Sequence, residues 1–192
     1  MSKRVALLSV YDKYGIDYFA KALIDLDFSI ISSGGTAKCL RDNGVETSDV
    51  ADLVGGGPIL GHRVVTLSRE IHAGLLATEK DRKELAELGI PWIDLVCVDL
   101  YPLKQEIDNP DATLESIIEM TDIGGPCMLR SAAKGNRIVI STIILRGVVL
   151  SWLKEGEPDP DQFRNYLAFK AEETVADYCR ISGNARRNHP PS

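Results

Sequence analysis

Long apolar runs and paired cysteines are both missing from this sequence of 192 residues. The N-terminal stretch has only a short apolar run, at residues 5–10, before polar residues follow, so we expect neither a signal peptide nor a membrane span. The four cysteines, at positions 39, 97, 127 and 179, lack the spacing of a zinc site or a disulfide framework. This pattern is typical of reduced thiols and favours a cytoplasmic protein.

Positive charge is also scarce. Lys and Arg number 22 against 28 Asp and Glu, which gives a net charge of −6. Such a balance argues against a protein that wraps nucleic acid, although it allows a local cationic pocket. There is no internal repeat and no low-complexity segment. The hydrophobic content of 44% is ordinary for a globular protein, and the length allows one ample domain with a small appendage.

Short apolar runs alternate with segments of helical periodicity. Strands are predicted at residues 5–10, 28–31, 93–100 and 137–144. Helices are predicted at residues 16–26, 68–77, 80–88, 113–120, 148–155 and 162–180, with a further one opening at 32–36. This order predicts an α/β fold with an open parallel sheet in three layers, helices on both faces and a C-terminal helix. We assign residues 1–155 to the α/β domain, 156–181 to a linker and the C-terminal helix, and 182–192 to a flexible tail.

Polar turns follow the first two strands, where α/β proteins bind ligands. One turn carries Lys13, and the other, Ser-Ser-Gly-Gly-Thr at residues 32–36, opens a helix. Small residues and unpaired N–H groups at a helix start suit a phosphate. A plain turn with an N-cap is the alternative for either motif alone, but two such turns together favour a binding site.

Three further segments carry candidate polar groups. A glycine-rich loop at residues 49–61 precedes Arg63, which suits a carboxylate or a phosphate. His72 could act as a base, but a half-buried helical histidine is the favoured interpretation. Helix 113–120 has Thr113 as a possible N-cap and is expected to point Glu115 and Glu119 outward.

The stretch TDIGGPCMLRSAAKGN, residues 121–136, combines a carboxylate, glycines and cations. Asp122 precedes a Gly-Gly-Pro turn, and Lys134 follows about three helical turns later. Glycines let backbone N–H groups approach a ligand closely, and Asp122 and Lys134 could face the same polar ligand. An N-capped helix with a solvated lysine is the alternative for this segment taken alone.

Five separated motifs occur in the order and spacing of one known family. They are SVYDK at 9–13, SGGTA at 33–37, RVVTL at 63–67, DLYP at 99–102 and the segment 122–134. On these motifs, the chain resembles inosine monophosphate (IMP) cyclohydrolase, the N-terminal domain of a bifunctional purine-biosynthesis enzyme whose second domain is a transformylase. The resemblance runs from about Val5 to Asn136. It implies a methylglyoxal-synthase-like (MGS-like) fold and a homodimer, with a separate transformylase as a possible source of the substrate.

The resemblance also implies a ring-closing reaction that needs neither a cofactor nor a metal. Its substrate is a purine-precursor ribonucleotide, and we expect no binding to nucleic acid or to a membrane. Asp122 is implied as the base, Lys134 as the ammonium that assists the leaving oxygen, and Tyr101 as the residue that orients the substrate. Nucleotide and phosphate contacts are implied for Ser9, Lys13, Ser33, Gly34, Gly35, Thr36, Arg63, Thr66, Asp99, Gly124 and Gly125.

Some positions depart from the family pattern. Val65, Ser68 and Arg69 stand where the family has Lys, His and Pro, and Asp99 replaces Asn. Tyr11 replaces a small serine. We therefore keep three hypotheses: an IMP cyclohydrolase, a diverged paralogue that closes the ring of a related purine-analogue nucleotide, and a non-catalytic nucleotide-binding regulatory module.

Overall fold

The computed structural model describes residues 3–61 and 63–188. In this part of the chain, five parallel strands form one sheet in the order β3-β2-β1-β4-β5. The strands are β1 (Arg4–Val10), β2 (Phe28–Ser32), β3 (Ser48–Asp49), β4 (Leu95–Asp99) and β5 (Ile138–Ile140). The predicted α/β fold with a parallel sheet is confirmed.

Helices connect and cover the strands. They are α1 (Ile16–Asp25), α2 (Gly34–Asp42), α3 (Val50–Leu53), α4 (Arg69–Leu76), α5 (Arg82–Glu87), α6 (Leu103–Ile107), α7 (Leu114–Glu119), α8 (Gly124–Lys134), α9 (Ile143–Lys154) and α10 (Pro160–Asn188). A 3-10 turn, Glu79–Asp81, precedes α5. None of the described helices is long and apolar enough to cross a membrane.

The central strands are apolar because the sheet is covered on both faces. Leu7 and Leu8 in β1 and Val96 in β4 have no exposed surface. The crossover from β1 to β2 and the crossover from β4 to β5 run in opposite directions along the sheet. Because such crossovers are right-handed, α1 and α8 lie on opposite faces. Helix α1 contacts α2 and α9, and α8 contacts α4 and α10. The predicted three layers follow from this arrangement.

The strand order places a crevice at the carboxyl ends of β1 and β4. From β1, the chain builds β2 and β3 on one side, and it then adds β4 and β5 on the other. Val10 is paired with Asp99, so β1 and β4 end level with each other. Open α/β sheets bind ligands at such a switch point. The polar turns predicted from the sequence lie at this edge.

The last predicted strand, at residues 137–144, is too long. β5 ends at Ile140, and α9 begins at Ile143. Ile143 and Ile144 are 44% and 77% exposed, so they cover no core and lie in the first turn of a helix. Their β-branched side chains favoured a strand in the sequence, but the packing of Val149 and Trp152 against the core determines a helix instead.

The C-terminal helix is longer than expected. We assigned residues 182–192 to a flexible tail, whereas α10 continues to Asn188, and residues 189–192 lie outside the described part of the chain. Burial explains the extension, because Ala185 is only 4% exposed and packs in a small cluster with Leu103 and Ile117. Helix α6, which supplies Leu103, was not predicted.

Candidate active site

A cleft of about 930 Å³ opens at the carboxyl ends of β1 and β4. Its wall includes most of the residues implied by the family resemblance. These are Ser9, Lys13, Ser33, Gly35, Thr36, Arg63, Thr66, Asp99, Tyr101, Asp122, Gly124 and Gly125. Segments that are far apart in the sequence therefore meet at one surface, while Gly34 and Lys134 are not part of it.

One end of the cleft is built from small polar groups around the start of α2. The hydroxyl groups of Ser9 and Ser33 are 2.7 Å apart and share a hydrogen bond. Ser33 occupies the N-cap position of α2 without capping the helix through its side chain. The first N–H groups of the helix, at Gly34 and Gly35, therefore remain available to an anion. We call the cleft residues Ser9, Lys13, Ser33 and Gly35, together with the neighbouring Gly34 N–H, the cradle.

Thr36 joins the cradle to the sheet. Its hydroxyl accepts a hydrogen bond from the Val10 N–H at 3.1 Å and donates one to the Val10 carbonyl at 3.2 Å. A threonine hydroxyl has one proton, so the side chain has no donor left for a ligand. We expected Thr36 to contact the substrate phosphate, but its hydroxyl instead connects α2 to β1 through these two hydrogen bonds.

Lys13 brings a cation to the cradle. Its ammonium donates hydrogen bonds to the carbonyls of Val10 and, at 2.9 Å, of Tyr11. An ammonium has three donors, so one remains for a ligand. Burial lowers the pKa of Lys13, although nearby acidic groups, Asp99 and Asp12 among them, oppose this change. A bound phosphate would favour the charged form.

The other end of the cleft contains Asp122, at the start of α8. Its carboxylate accepts a hydrogen bond from the Gly125 N–H at 2.9 Å. A Cβ atom on Gly125 would lie 2.4 Å from an oxygen of this carboxylate, and one on Gly124 would lie 2.5 Å from the Thr66 hydroxyl. Only glycine allows such close approach. The Gly-Gly pair therefore fixes the position of the carboxylate.

The surroundings of Asp122 change its basicity. Burial raises the pKa of the carboxyl, the backbone N–H groups of Gly125, Tyr101 and Gly124 oppose this change, and the charge of Asp99 adds to it. The Tyr101 ring lies edge-on to Tyr11, with centroids 5.7 Å apart. Burial and the charge of Asp122 raise the pKa of Tyr101, so this side chain remains a neutral phenol. A carboxylate with a raised pKa beside a phenol is suited to accepting a proton.

Lys134 does not face the ligand that Asp122 would bind. It is the last residue of α8 and is exposed, whereas Gly124 and Gly125 begin the helix at the cleft. Ten residues of α-helix separate the two ends by roughly 15 Å. Within one chain, Lys134 therefore lies away from the Asp122 end of the cleft, and its assistance to the reaction stays a prediction.

Arg63 meets Glu119, which we expected to point outward. The two side chains form an ion pair, and Arg63 also donates to the Leu60 carbonyl at 3.0 Å. Both residues line the cleft and remain exposed. Glu119 is exposed, as expected, and the position of α7 brings this outward-pointing side chain to the cleft. An exposed pair of this kind is weak, so an anionic ligand can compete for Arg63.

Two of the departures from the family pattern lie away from the cleft. The Ser68 hydroxyl accepts the Ile71 N–H at 3.2 Å and caps α4. Arg69 is exposed, pairs with its neighbour Glu70 and does not reach the gap left at Val65. His72, half-buried in α4, shares a 2.8 Å hydrogen bond with Ser131 and is not in the cleft wall. This geometry agrees with the interpretation of His72 as a structural histidine.

The other three departures, at Tyr11, Val65 and Asp99, line the cleft. Val65 presents an aliphatic side chain there and packs against the core. Asp99 accepts a 2.7 Å hydrogen bond from the Asp12 N–H, so one of its oxygens holds the turn after β1. An asparagine could accept the same bond, which means that the negative charge at this position is not required by the fold.

The sequence did not indicate Tyr178 and Arg186, both supplied by α10. The Tyr178 hydroxyl accepts a 2.9 Å hydrogen bond from the Asp122 N–H, and Arg186 lines the cleft. No local signal could reveal them, because α10 follows a linker and its position depends on packing against α8 and β5. Among the described residues, there is no group of three or more His, Cys, Asp or Glu side chains that could hold a metal ion.

Comparison with known proteins agrees with this geometry. The sequence profile of the MGS-like domain family matches residues 15–127, more than half of the chain. The chain belongs to the family of MGS-like domains. The matched segment begins after Ser9 and Lys13, and it contains the turn at residues 33–35 and the Gly-Gly pair at the start of α8.

This MGS-like domain has relatives in purine metabolism. It is 45% identical over 185 residues to the bifunctional purine biosynthesis protein PurH of Persephonella marina, with 93% of the chain and 35% of that protein covered. It is 41% identical over 188 residues to PurH of Bacillus cytotoxicus, with 95% of the chain and 37% of that protein covered. The resemblance to the bifunctional purine-biosynthesis enzyme is confirmed. The chain spans about a third of the length of these curated relatives.

A solved structure extends the likeness to nearly the whole MGS-like domain. The crystal structure of ForH superposes with a TM-score of 0.80 at 37% identity, covering 96% of this chain and 99% of the ForH chain. The similarity therefore includes α9 and α10, which lie beyond the segment that the family profile matches.

Proposed function

We propose that this MGS-like domain is an IMP cyclohydrolase, which closes the second ring of formylaminoimidazole carboxamide ribotide with loss of water. The proposal rests on one observation: the same cleft contains a cradle suited to a phosphate at one end and, at the other end, the Asp122 carboxylate held against a Gly-Gly turn. The similarity to proteins named for purine biosynthesis supports it. A cleft of about 930 Å³ is large enough for a nucleotide.

The reaction joins two groups of one molecule, so much of the acceleration comes from holding them together. The carboxamide nitrogen attacks the formyl carbon and gives a proton to Asp122, while the electron pair of the C=O bond moves to oxygen. A proton then returns to that oxygen to give a carbinol, and the hydroxyl group leaves together with the proton of the formamido nitrogen as the C=N bond of the ring forms. One carboxamide proton, the formamido proton and the formyl oxygen depart as one water molecule, and no oxidant or reductant is needed.

Each group in the cleft has a step that suits it. Asp122 is a stronger base than an ordinary aspartate because burial raises its pKa. The cradle would bind the ribotide phosphate through backbone N–H groups and Lys13. Tyr101, fixed edge-on against Tyr11, would orient the heterocycle beside Asp122.

The direct test is incubation of the purified protein with the formylated ribotide and measurement of IMP by absorbance. Asp122→Asn, which can still accept the Gly125 N–H, is the matched control and should be inactive. Wild-type protein that forms no IMP, under conditions where it is folded and binds the ribotide, would refute the proposal.

A second candidate, ring closure of a related purine-analogue nucleotide, is favoured by one observation. Val65 lines the cleft where the family pattern has a lysine, so a cation of the family site is replaced by an aliphatic surface. Such a paralogue should close the ring of the analogue precursor with a higher kcat/KM than the purine precursor. The opposite ranking would reject this candidate.

We also propose the homodimer that the family resemblance implies. Light scattering after size-exclusion chromatography tests it, and a monomer at micromolar concentration would contradict it.

A further inference from the structure

We propose that the last turns of α10 complete the active site: Arg186 contacts the formyl oxygen of the substrate, and Tyr178 positions Asp122. The inference rests on the proposed function and deepens it, since neither residue belongs to the motifs that indicated the site. It also fills the role left open by Lys134, which lies at the far end of α8.

The end of α10 is held firmly enough to present a side chain to the cleft. Ala185 is 4% exposed and packs with Leu103 of α6 and Ile117 of α7. Tyr178 packs against the same cluster. Residues 178 and 185 are seven apart, which is about two helical turns, so they lie on one face of α10. This face fixes the rotation of the helix and places Arg186 at the cleft.

The Arg186 guanidinium is available to a ligand. Its side chain makes no hydrogen bond or ion pair with another residue in the ranges 3–61 and 63–188. Lys13 and Arg63 differ, because Lys13 donates to two carbonyls and Arg63 is paired with Glu119. Four carboxylates also line the cleft, at Asp99, Glu106, Glu119 and Asp122. A cation on α10 is therefore suited to stabilising negative charge that develops on the formyl oxygen near them.

Tyr178 acts on Asp122 through the backbone. Its hydroxyl accepts the Asp122 N–H at 2.9 Å and donates to the Met120 carbonyl at 3.4 Å. Burial raises the pKa of Tyr178 to about 12, so the hydroxyl keeps its proton at working pH and both bonds persist. The chain segment that leads into Asp122 is thus tied to α10. Phenylalanine at this position would leave the Asp122 N–H without its acceptor.

Arg187 provides a matched control for Arg186. It is the next residue of α10, carries the same charge and is exposed, but it does not line the cleft. We expect Arg186→Ala to lower kcat/KM for the formylated ribotide by about ten- to a hundredfold, with most of the loss in kcat, because the contact strengthens as charge develops. Arg186→Lys should recover part of the loss. Arg187→Ala should stay within about twofold of wild type.

Tyr178→Phe should lower kcat several-fold with little change in KM, since phenylalanine keeps the packing volume and loses only the hydroxyl. Thermal unfolding of each variant, followed by circular dichroism, separates a loss of function from a loss of fold. Wild-type kinetics in a folded Arg186→Ala, an equal loss in Arg187→Ala, or unchanged kcat in Tyr178→Phe would overturn the corresponding assignment.

Isothermal titration calorimetry measures the affinity for IMP and therefore tests the Arg186 contact without requiring turnover. A wild-type protein that binds IMP but does not cyclise the ribotide would refute the proposed function alone. In that case, IMP binding that is weaker in Arg186→Ala than in Arg187→Ala would still support Arg186 as a ligand contact, and equal affinities would overturn it. A folded wild type that neither binds IMP nor cyclises the ribotide would overturn both proposals.

Discussion

Replacing Gly125 by alanine should remove most of the proposed activity without unfolding the protein. The new Cβ atom would lie 2.4 Å from a carboxylate oxygen of Asp122 and 2.5 Å from a methyl group of Leu100, where ordinary contacts begin at 3.4 Å. The carboxylate must therefore move by roughly 1 Å. A displacement of this size at a reacting group costs about a hundredfold in rate.

The effect on stability should be smaller than the effect on activity. Overpacking costs about 1–3 kcal/mol, and alanine in place of glycine in a helix returns up to about 1 kcal/mol. The net loss of about 0–2 kcal/mol corresponds to a Tm lowered by at most about 8 °C in a protein of this size. Gly147→Ala in α9 is the control, because its Cβ atom would meet nothing within 4 Å. This change should raise the Tm by about 2–4 °C and leave activity unchanged.

The assay pairs kcat/KM for the formylated ribotide with a thermal scan of each variant at the same pH. If Gly125→Ala keeps wild-type kcat/KM and gains stability as Gly147→Ala does, the carboxylate is not confined by the Gly-Gly pair, and the reasoning from the close approach is wrong. If both variants lose activity together, the loss does not come from Asp122.

Three further predictions concern charge around Asp122. In urea unfolding near neutral pH, Asp122→Asn should be no less stable than wild type. Burial raises the carboxyl pKa in the folded state, so the ionised group costs stability above that pKa, and the difference should shrink as the pH falls toward about 4. As the pH is lowered, the kcat/KM of wild type should begin to fall at a pH above 3.8, the ordinary aspartate pKa, because the pKa of Asp122 is raised. Asp99→Asn removes a like charge and should shift this acidic limb of the pH profile to lower pH. Val65→Lys combined with Asp99→Asn should raise turnover of the purine precursor by roughly ten- to a hundredfold, as expected for one charge-assisted hydrogen bond.

Each of these predictions can fail in a specific way. A clearly less stable Asp122→Asn near neutral pH would mean that the ionised carboxylate stabilises the fold. An acid limb that Asp99→Asn leaves in place would mean that Asp122 is not the titrating base. Unchanged turnover in the double variant would mean that position 65 does not face the reacting atoms, and a gain for an analogue precursor alone would favour the paralogue.

Local patterns in the sequence were enough to predict the sheet and the cradle. Continuous apolar runs such as the one in β1 arise because both faces of the sheet are covered, and this cause acts within a few residues. The turns with Lys13 and Ser33 follow such runs directly, so parallel pairing brings them to one edge. The boundary between β5 and α9 could not be predicted in this way, because Ile143 and Ile144 have β-branched side chains but lie exposed in a helix.

Contacts between distant segments were harder to predict. Motif spacing placed Asp122 and Lys134 in one family pattern, but spacing does not show that a helix presents only one of its ends to the cleft. Arg186 and Tyr178 depend on the packing of α10 against α8 and on the burial of Ala185, which no periodicity near Asp122 could reveal.

The two ends of the cleft favour one orientation of the proposed substrate. The cradle offers N–H groups of α2 and the Lys13 ammonium, all of which attract an anion. The opposite end contains Asp122, whose ionised carboxylate repels one. A phosphate dianion placed beside Asp122 would meet a like charge, whereas the neutral carboxamide can donate a hydrogen bond to the Asp122 carboxylate. The same carboxylate that accepts the proton thus helps to direct the carboxamide toward itself and the phosphate toward the cradle.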